Sequence, residues 1–113
     1  MENILSAVEN PKEFTKLDRF DGSNFTRWKD KMIFLLTAPK IFYVLDPQLP
    51  AFPEPTAEDS DEVKATRKKR EDDELLCRGH ILNTLTDRLY DLYQNLKSPR
   101  VIWTALQSAY ENE

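Results

Sequence analysis

Apolar residues recur at helical spacing along most of this chain. Phe25, Trp28, Met32, Leu35 and Leu36 follow one another at intervals that place them on one face of a helix, with Arg27, Lys29, Asp30 and Lys31 on the rest of its surface. The pattern predicts a helix from about Asn24 to Thr37. The turn Asp21-Gly22-Ser23-Asn24 precedes it and offers Ser and Asn as capping side chains. Pro39 stops this helix and is placed to open a short second one, around Lys40 to Leu45, with Ile41, Val44 and Leu45 inward.

The run DPQLPAFPEPT, Asp46 to Thr56, holds four prolines, which forbid a helix and disfavour a central strand. It reads as an exposed, partly stiff loop that carries Leu49 and Phe52. Either these two fold back onto the domain, or the loop presents them to a partner. A long helix follows from Ala57 to Leu85, capped by Asp59 or Ser60. Its charged middle, RKKREDDE, sets Arg67–Glu71, Lys68–Asp72, Lys69–Asp73 and Arg70–Glu74 four apart, pairs that each support a solvated helix by a few tenths of a kcal/mol. Leu75, Leu76, Cys77, Ile81, Leu82 and Leu85 then carry the helix into the core. Gly79 weakens a helix by roughly 1 kcal/mol relative to Ala, so another helix is expected to approach closely there. Thr86 caps a short helix bearing Leu89, Tyr90, Leu92 and Tyr93. Ser98-Pro99, a cap followed by proline at the first helical position, opens a final helix with Ile102, Trp103, Leu106 and Tyr110 on one face.

No period-two run of β-branched residues occurs, and no internal repeat. The expected fold is all-α, a compact bundle of about five helices. Residues 1–19 form a weakly patterned arm, with Ile4, Leu5, Val8, Phe14 and Leu17 as its apolar positions. Residues 20–113 form the helical domain, with the loop 46–56 exposed. The expected core is Phe25, Trp28, Met32, Leu35, Leu36, Leu45, Cys77, Ile81, Leu85, Trp103, Leu106 and Tyr110. Phe25 and Trp28 are expected to anchor the first helix against the last and its Trp103. The chain stops at Glu113, soon after the last stripe, and reads as a piece of a larger parent protein.

Charge and composition narrow the function classes. The 113 residues suit one domain, with 40% hydrophobic and 32% charged positions, and 11% aromatics against wholesale disorder. The net charge of −4 makes the chain a poor binder of nucleic-acid phosphates. The single cysteine, Cys77, excludes an intrachain disulfide and fits a reducing compartment. No apolar run has signal-peptide character or the roughly 20 residues of a membrane span. The expected location is the cytoplasm, with the nucleus as the alternative.

Candidate chemistry is sparse. Cys77 and His80 lie i, i+3, but a zinc site asks for three or four protein ligands and this chain has no other Cys or His. Asp72-Asp73-Glu74 point in different directions round a helix and cannot converge on one ion. The basic run Arg67 to Arg70 is followed at once by acids that cancel its field. With two glycines, Gly22 and Gly79, there is no phosphate loop. These residues point to no enzyme, cofactor, metal site or small-molecule substrate.

Two motifs carry a family resemblance. Phe20-Asp21-Gly22-Ser23-Asn24-Phe25 with Trp28 and Met32 resembles the F-x-G-x-N-F-x-x-W opening of Gag proteins from copia-type LTR retrotransposons, especially those of plants. Trp103, Leu106 and Tyr110, after a charged helix that reaches Ile81 to Leu85, resemble the family's W-x-x-L-x-x-x-Y close. The likeness spans about Leu17 to Tyr110. It implies an all-helical domain like the N-terminal lobe of retroviral capsid proteins, and a structural role. Chains of this family associate into virus-like particles that enclose the RNA of the transposon. The resemblance also implies a parent polyprotein with a second capsid lobe and a CCHC zinc knuckle further on. RNA contact is then expected to be indirect, through those downstream segments. The charged faces would be the assembly surfaces.

Three readings follow. The first is a self-associating Gag capsid lobe, of a retrotransposon or of a host gene derived from one. The second is a monomeric capsid-like adaptor that holds a peptide or protein partner in an apolar groove beside Pro47 to Pro55. The third, a helical nucleic-acid-binding module, is opposed by the net charge.

Overall fold

The computed structural model describes residues 19–111. The expected N-terminal arm, apart from Arg19, lies outside the described residues. The fold is all-α. Among the described residues there are four α-helices: α1 (Phe25–Thr37), α2 (Asp61–Asn83), α3 (Asp87–Tyr93) and α4 (Pro99–Tyr110). Between α1 and α2 lies one 3₁₀ turn, Phe42–Leu45.

The caps set the element boundaries. Ser60 rather than Asp59 caps α2, its Oγ accepting from the Val63 N–H at 3.1 Å. Asp61 and Glu62 complement the helix dipole in the first turn. Ser98 accepts from the Val101 N–H at 3.3 Å, with Pro99 following it in the first turn. Asn24 does not cap α1 with its side chain. It takes a left-handed conformation, φ 56° and ψ 49°. The Asp21 carboxylate closes the turn instead, accepting from the Ser23 N–H at 2.9 Å and its hydroxyl at 2.6 Å. The expected helix from Lys40 is a 3₁₀ turn. Lys40 itself is left-handed, φ 64°, and only four helical residues fit before the prolines begin.

One apolar cluster holds the domain together. Phe20, Phe25, Trp28, Met32, Leu35, Leu36, Ile41, Val44, Leu45, Cys77, Ile81, Leu82, Leu85, Leu89, Ile102, Trp103 and Leu106 are all buried in it. Tyr110 is half-buried at its edge. The aromatics stand at one end. Trp28 stacks on Phe20 at 4.9 Å, and its ring lies 5.6 Å from Phe25 and 5.5 Å from Trp103. Two backbone hydrogen bonds tie the entry of the domain to the end of α2. The Phe20 N–H donates to the Thr84 carbonyl at 2.7 Å, and the Thr86 N–H to the Phe20 carbonyl at 3.0 Å.

Two expectations for α2 fail. Leu75 and Leu76 are not core residues, being 67% and 49% exposed. The core face of the helix runs through Cys77, Ile81 and Leu82, and a residue one or two positions earlier points away from it. Among the described residues no helix packs over Gly79 either, since a Cβ built there meets none of them within 4 Å. In α3 only Leu89 is buried, and Tyr90 and Leu92 are exposed.

Candidate functional site

The proline-rich loop and α2 border an open cleft. It measures about 310 Å³ and is walled by Ala51 to Pro55 on one side and Arg67, Arg70, Glu71 and Glu74 on the other, with Arg100 from α4. The loop is fastened from beneath. Arg100 Nη1 donates to the carbonyls of Asp46 at 3.3 Å and Leu49 at 3.1 Å. Arg67 lies over the Phe52 ring, 5.3 Å from its centroid, and its Nη2 donates to the Asp59 carboxylate at 2.7 Å. Leu49 and Phe52 are therefore half-buried against the domain, not displayed to solvent.

That arrangement redistributes the charges of α2. Lys68–Asp72 at 3.3 Å, Lys69–Asp73 at 2.7 Å and Arg70–Glu74 at 3.7 Å form with the expected spacing. Arg67 turns to Asp59 instead of Glu71. The Thr56 N–H, then the Arg67 guanidinium, hold the Asp59 carboxyl down at about 2. The Nε atoms of Arg67 and Arg70 are enclosed with no hydrogen-bond partner among the described residues. The cleft is mixed in character: Ala51, Phe52, Pro53 and Pro55 form an apolar wall, and arginine and glutamate form the facing one, so it is not the wholly apolar groove expected of the adaptor reading. Sequence reasoning found the loop but not the cleft, because its walls come from three separated segments.

A second polar cluster sits behind the 3₁₀ turn. The Tyr43 hydroxyl donates to Asp73, and Lys69 stands over the Tyr43 ring at 5.7 Å. Burial, with Asp73 beside it, pushes the Tyr43 phenol up to about 12. The ring thus stays neutral and serves as a hydrogen-bond donor.

Cys77 and His80 do not come together as a site. Cys77 is fully buried, and burial pushes its thiol up to about 12, with the Glu74 carboxylate adding to the effect. His80 is half-buried and held below its ordinary value by desolvation. Among the described residues no three acidic, His or Cys side chains gather as a metal site. No helix among them is long and apolar enough to cross a membrane.

Each of the four helices carries exposed apolar side chains. Leu75 and Leu76 lie on the outer side of α2, in a shallow groove shared with Asp72, Gly79, His80 and Asn83. Phe34 projects from α1, Tyr90 and Leu92 from α3, and Val101 from α4. Compared with protein-family models, with curated proteins and with solved structures, the chain matches none.

Proposed function

We propose that this chain is a structural capsid lobe of the copia-type Gag kind, from a retrotransposon or a host gene derived from one, and that it self-associates. One observation carries the reading. The two motifs on which the resemblance rests lie at opposite ends of the domain, and they meet in one aromatic cluster. Phe20 and Tyr110 stand edge to face at 5.3 Å, and Trp28 and Trp103 lie 5.5 Å apart. Gly22 of the opening motif faces the Tyr110 ring of the closing one, where a Cβ would come within 3.2 Å. Residues of both motifs thus depend on one another, as expected of a pair that identifies one fold.

The all-helical architecture and the surface charge are in keeping with a lattice protein. Such assemblies use many weak contacts, each insufficient alone, and multivalency supplies the strength. RNA would be enclosed, with contact left to segments beyond this lobe. Only one wall of the cleft beside the proline-rich loop is apolar and the facing wall is charged, so the adaptor reading takes second place.

The test is light scattering with size-exclusion chromatography across a wide concentration range at low and high salt, with electron microscopy of any large species. Growth into closed particles supports a capsid lobe that carries its own lattice contacts. A strict monomer under all conditions counts against assembly by this lobe alone and favours a monomeric binding module.

A further inference from the structure

We propose that the outer face of α2 is a contact between two copies of this chain, packed antiparallel about a two-fold axis. The inference rests on the self-association proposed above and names the surface that would carry it. Isolated exposed leucines are ordinary on a protein surface. Here two stand together, opposite the core face, with Gly79 a turn further along the helix. Glycine is unfavourable in the middle of an exposed helix, and nothing among the described residues uses the space above it. Leu76 and Gly79 therefore make a bump and a gap on one helix face, in a groove of about 480 Å³.

The spacing picks out a second copy as the occupant. Asp72, Leu76, Gly79 and Asn83 follow one another at steps of four, three and four, the same read from either end. If a second α2 is turned end for end, Leu76 can enter the gap at the partner's Gly79. The same alignment sets the Asp72 carboxylate opposite the amide of the partner's Asn83. The two-fold axis makes each contact twice. Charge fixes the direction. A parallel, in-register pair would set Lys68 beside the partner's Lys68 and Asp72 beside the partner's Asp72, and like charges repel. In the antiparallel pair the Lys68–Asp72 ion pair, at 3.3 Å, stays at the rim.

Sedimentation or light scattering of the full chain over a wide concentration range is the test, with the Gly79→Ala and Leu76→Asp variants alongside. The wild type should pass from monomer to dimer. Gly79→Ala should weaken association by about tenfold, because a methyl overfills the contact. The same change should raise the melting temperature of the monomer, so lost association cannot be ascribed to misfolding. Leu76→Asp should abolish the dimer. A mixture of Leu76→Cys and Gly79→Cys chains should cross-link on oxidation, more readily than either chain alone. Association unchanged in both Gly79→Ala and Leu76→Asp overturns this face while leaving self-association standing. A wild type that stays monomeric throughout overturns the contact and self-association of the lone lobe together.

Discussion

The indole N–H of Trp28 donates to the Thr84 hydroxyl at 2.9 Å, joining residues 56 positions apart. Thr84 is fully buried. Its hydroxyl donates onward to the Ile81 carbonyl at 2.7 Å, and its own carbonyl accepts from the Phe20 N–H at 2.7 Å. One small side chain thus satisfies the polar edge of a core tryptophan and lies where Phe20 meets the end of α2. Thr84→Val keeps the shape and removes the acceptor, leaving a buried donor unpaired. We expect a loss of ~1–3 kcal/mol by urea unfolding. Thr84→Ser retains the hydroxyl and should lose about 1 kcal/mol for the missing methyl. A valine variant no worse than the serine would refute the role given to the hydrogen bond.

Trp28→Ala should be far more damaging. The ring lies within 6 Å of Phe20, Phe25 and Trp103, and is 5% exposed. Removing such a side chain costs ~3–5 kcal/mol, against a total stability of roughly 5–15 kcal/mol for a typical domain. Thermal melting measures this, and an unchanged midpoint would take Trp28 out of the core.

The two glycines should respond in opposite directions to alanine. Gly22 has φ +106°, a conformation that alanine resists, and its Cβ would press on the Tyr110 ring at 3.2 Å. Gly22→Ala should destabilise by more than ~1 kcal/mol. Gly79 is helical, with open space above it, and Gly79→Ala should stabilise the monomer by ~0.5–1 kcal/mol. Both are read from denaturant midpoints at low protein concentration, where association does not contribute.

Acid should weaken the fold partly through Asp59. Its carboxyl sits at about 2 in the folded chain, below its ordinary 3.8, held there by the Thr56 N–H and then by Arg67. The folded value lies below the unfolded one, so the contribution is complete above about pH 4 and fades as pH falls toward 2. Asp59→Asn should flatten that part of the profile, measured as urea midpoints across the same pH window. A variant with an undiminished acid limb would place the titration elsewhere.

Cys77 should resist alkylation at neutral pH while the chain is folded. It is buried, and its thiol is pushed up to about 12, so almost no thiolate is present. Reaction should become rapid only in denaturant. Mass spectrometry of timed labelling reads the opening of α2 from the domain, and prompt labelling under native conditions would contradict the burial.

The sequence made the helices legible where local signals agreed. Ser98-Pro99 marks the start of α4, and the stripe from Phe25 to Leu36 marks the buried face of α1. It was less informative where two apolar stripes overlap. Leu75, Leu76 and Cys77 are contiguous, and periodicity cannot tell which of them faces inward until Ile81 and Leu82 are packed. The partner of Arg67 was equally hidden. Glu71 has the right helical spacing, but the loop brings Asp59 closer, a tertiary choice that spacing does not encode. The cleft beside the loop depends on Arg100, which lies 30 or more positions from Arg67 and Arg70 in the chain and meets the loop only after folding.

The contact of Phe20 with Tyr110 has a geometric consequence. These residues stand near the two ends of the described segment, yet their rings lie 5.3 Å apart. Phe20 and Tyr110 therefore stand at the same corner of the domain. A short linker could join the two ends, and a circularly permuted version, reopened in the proline-rich loop, should still fold.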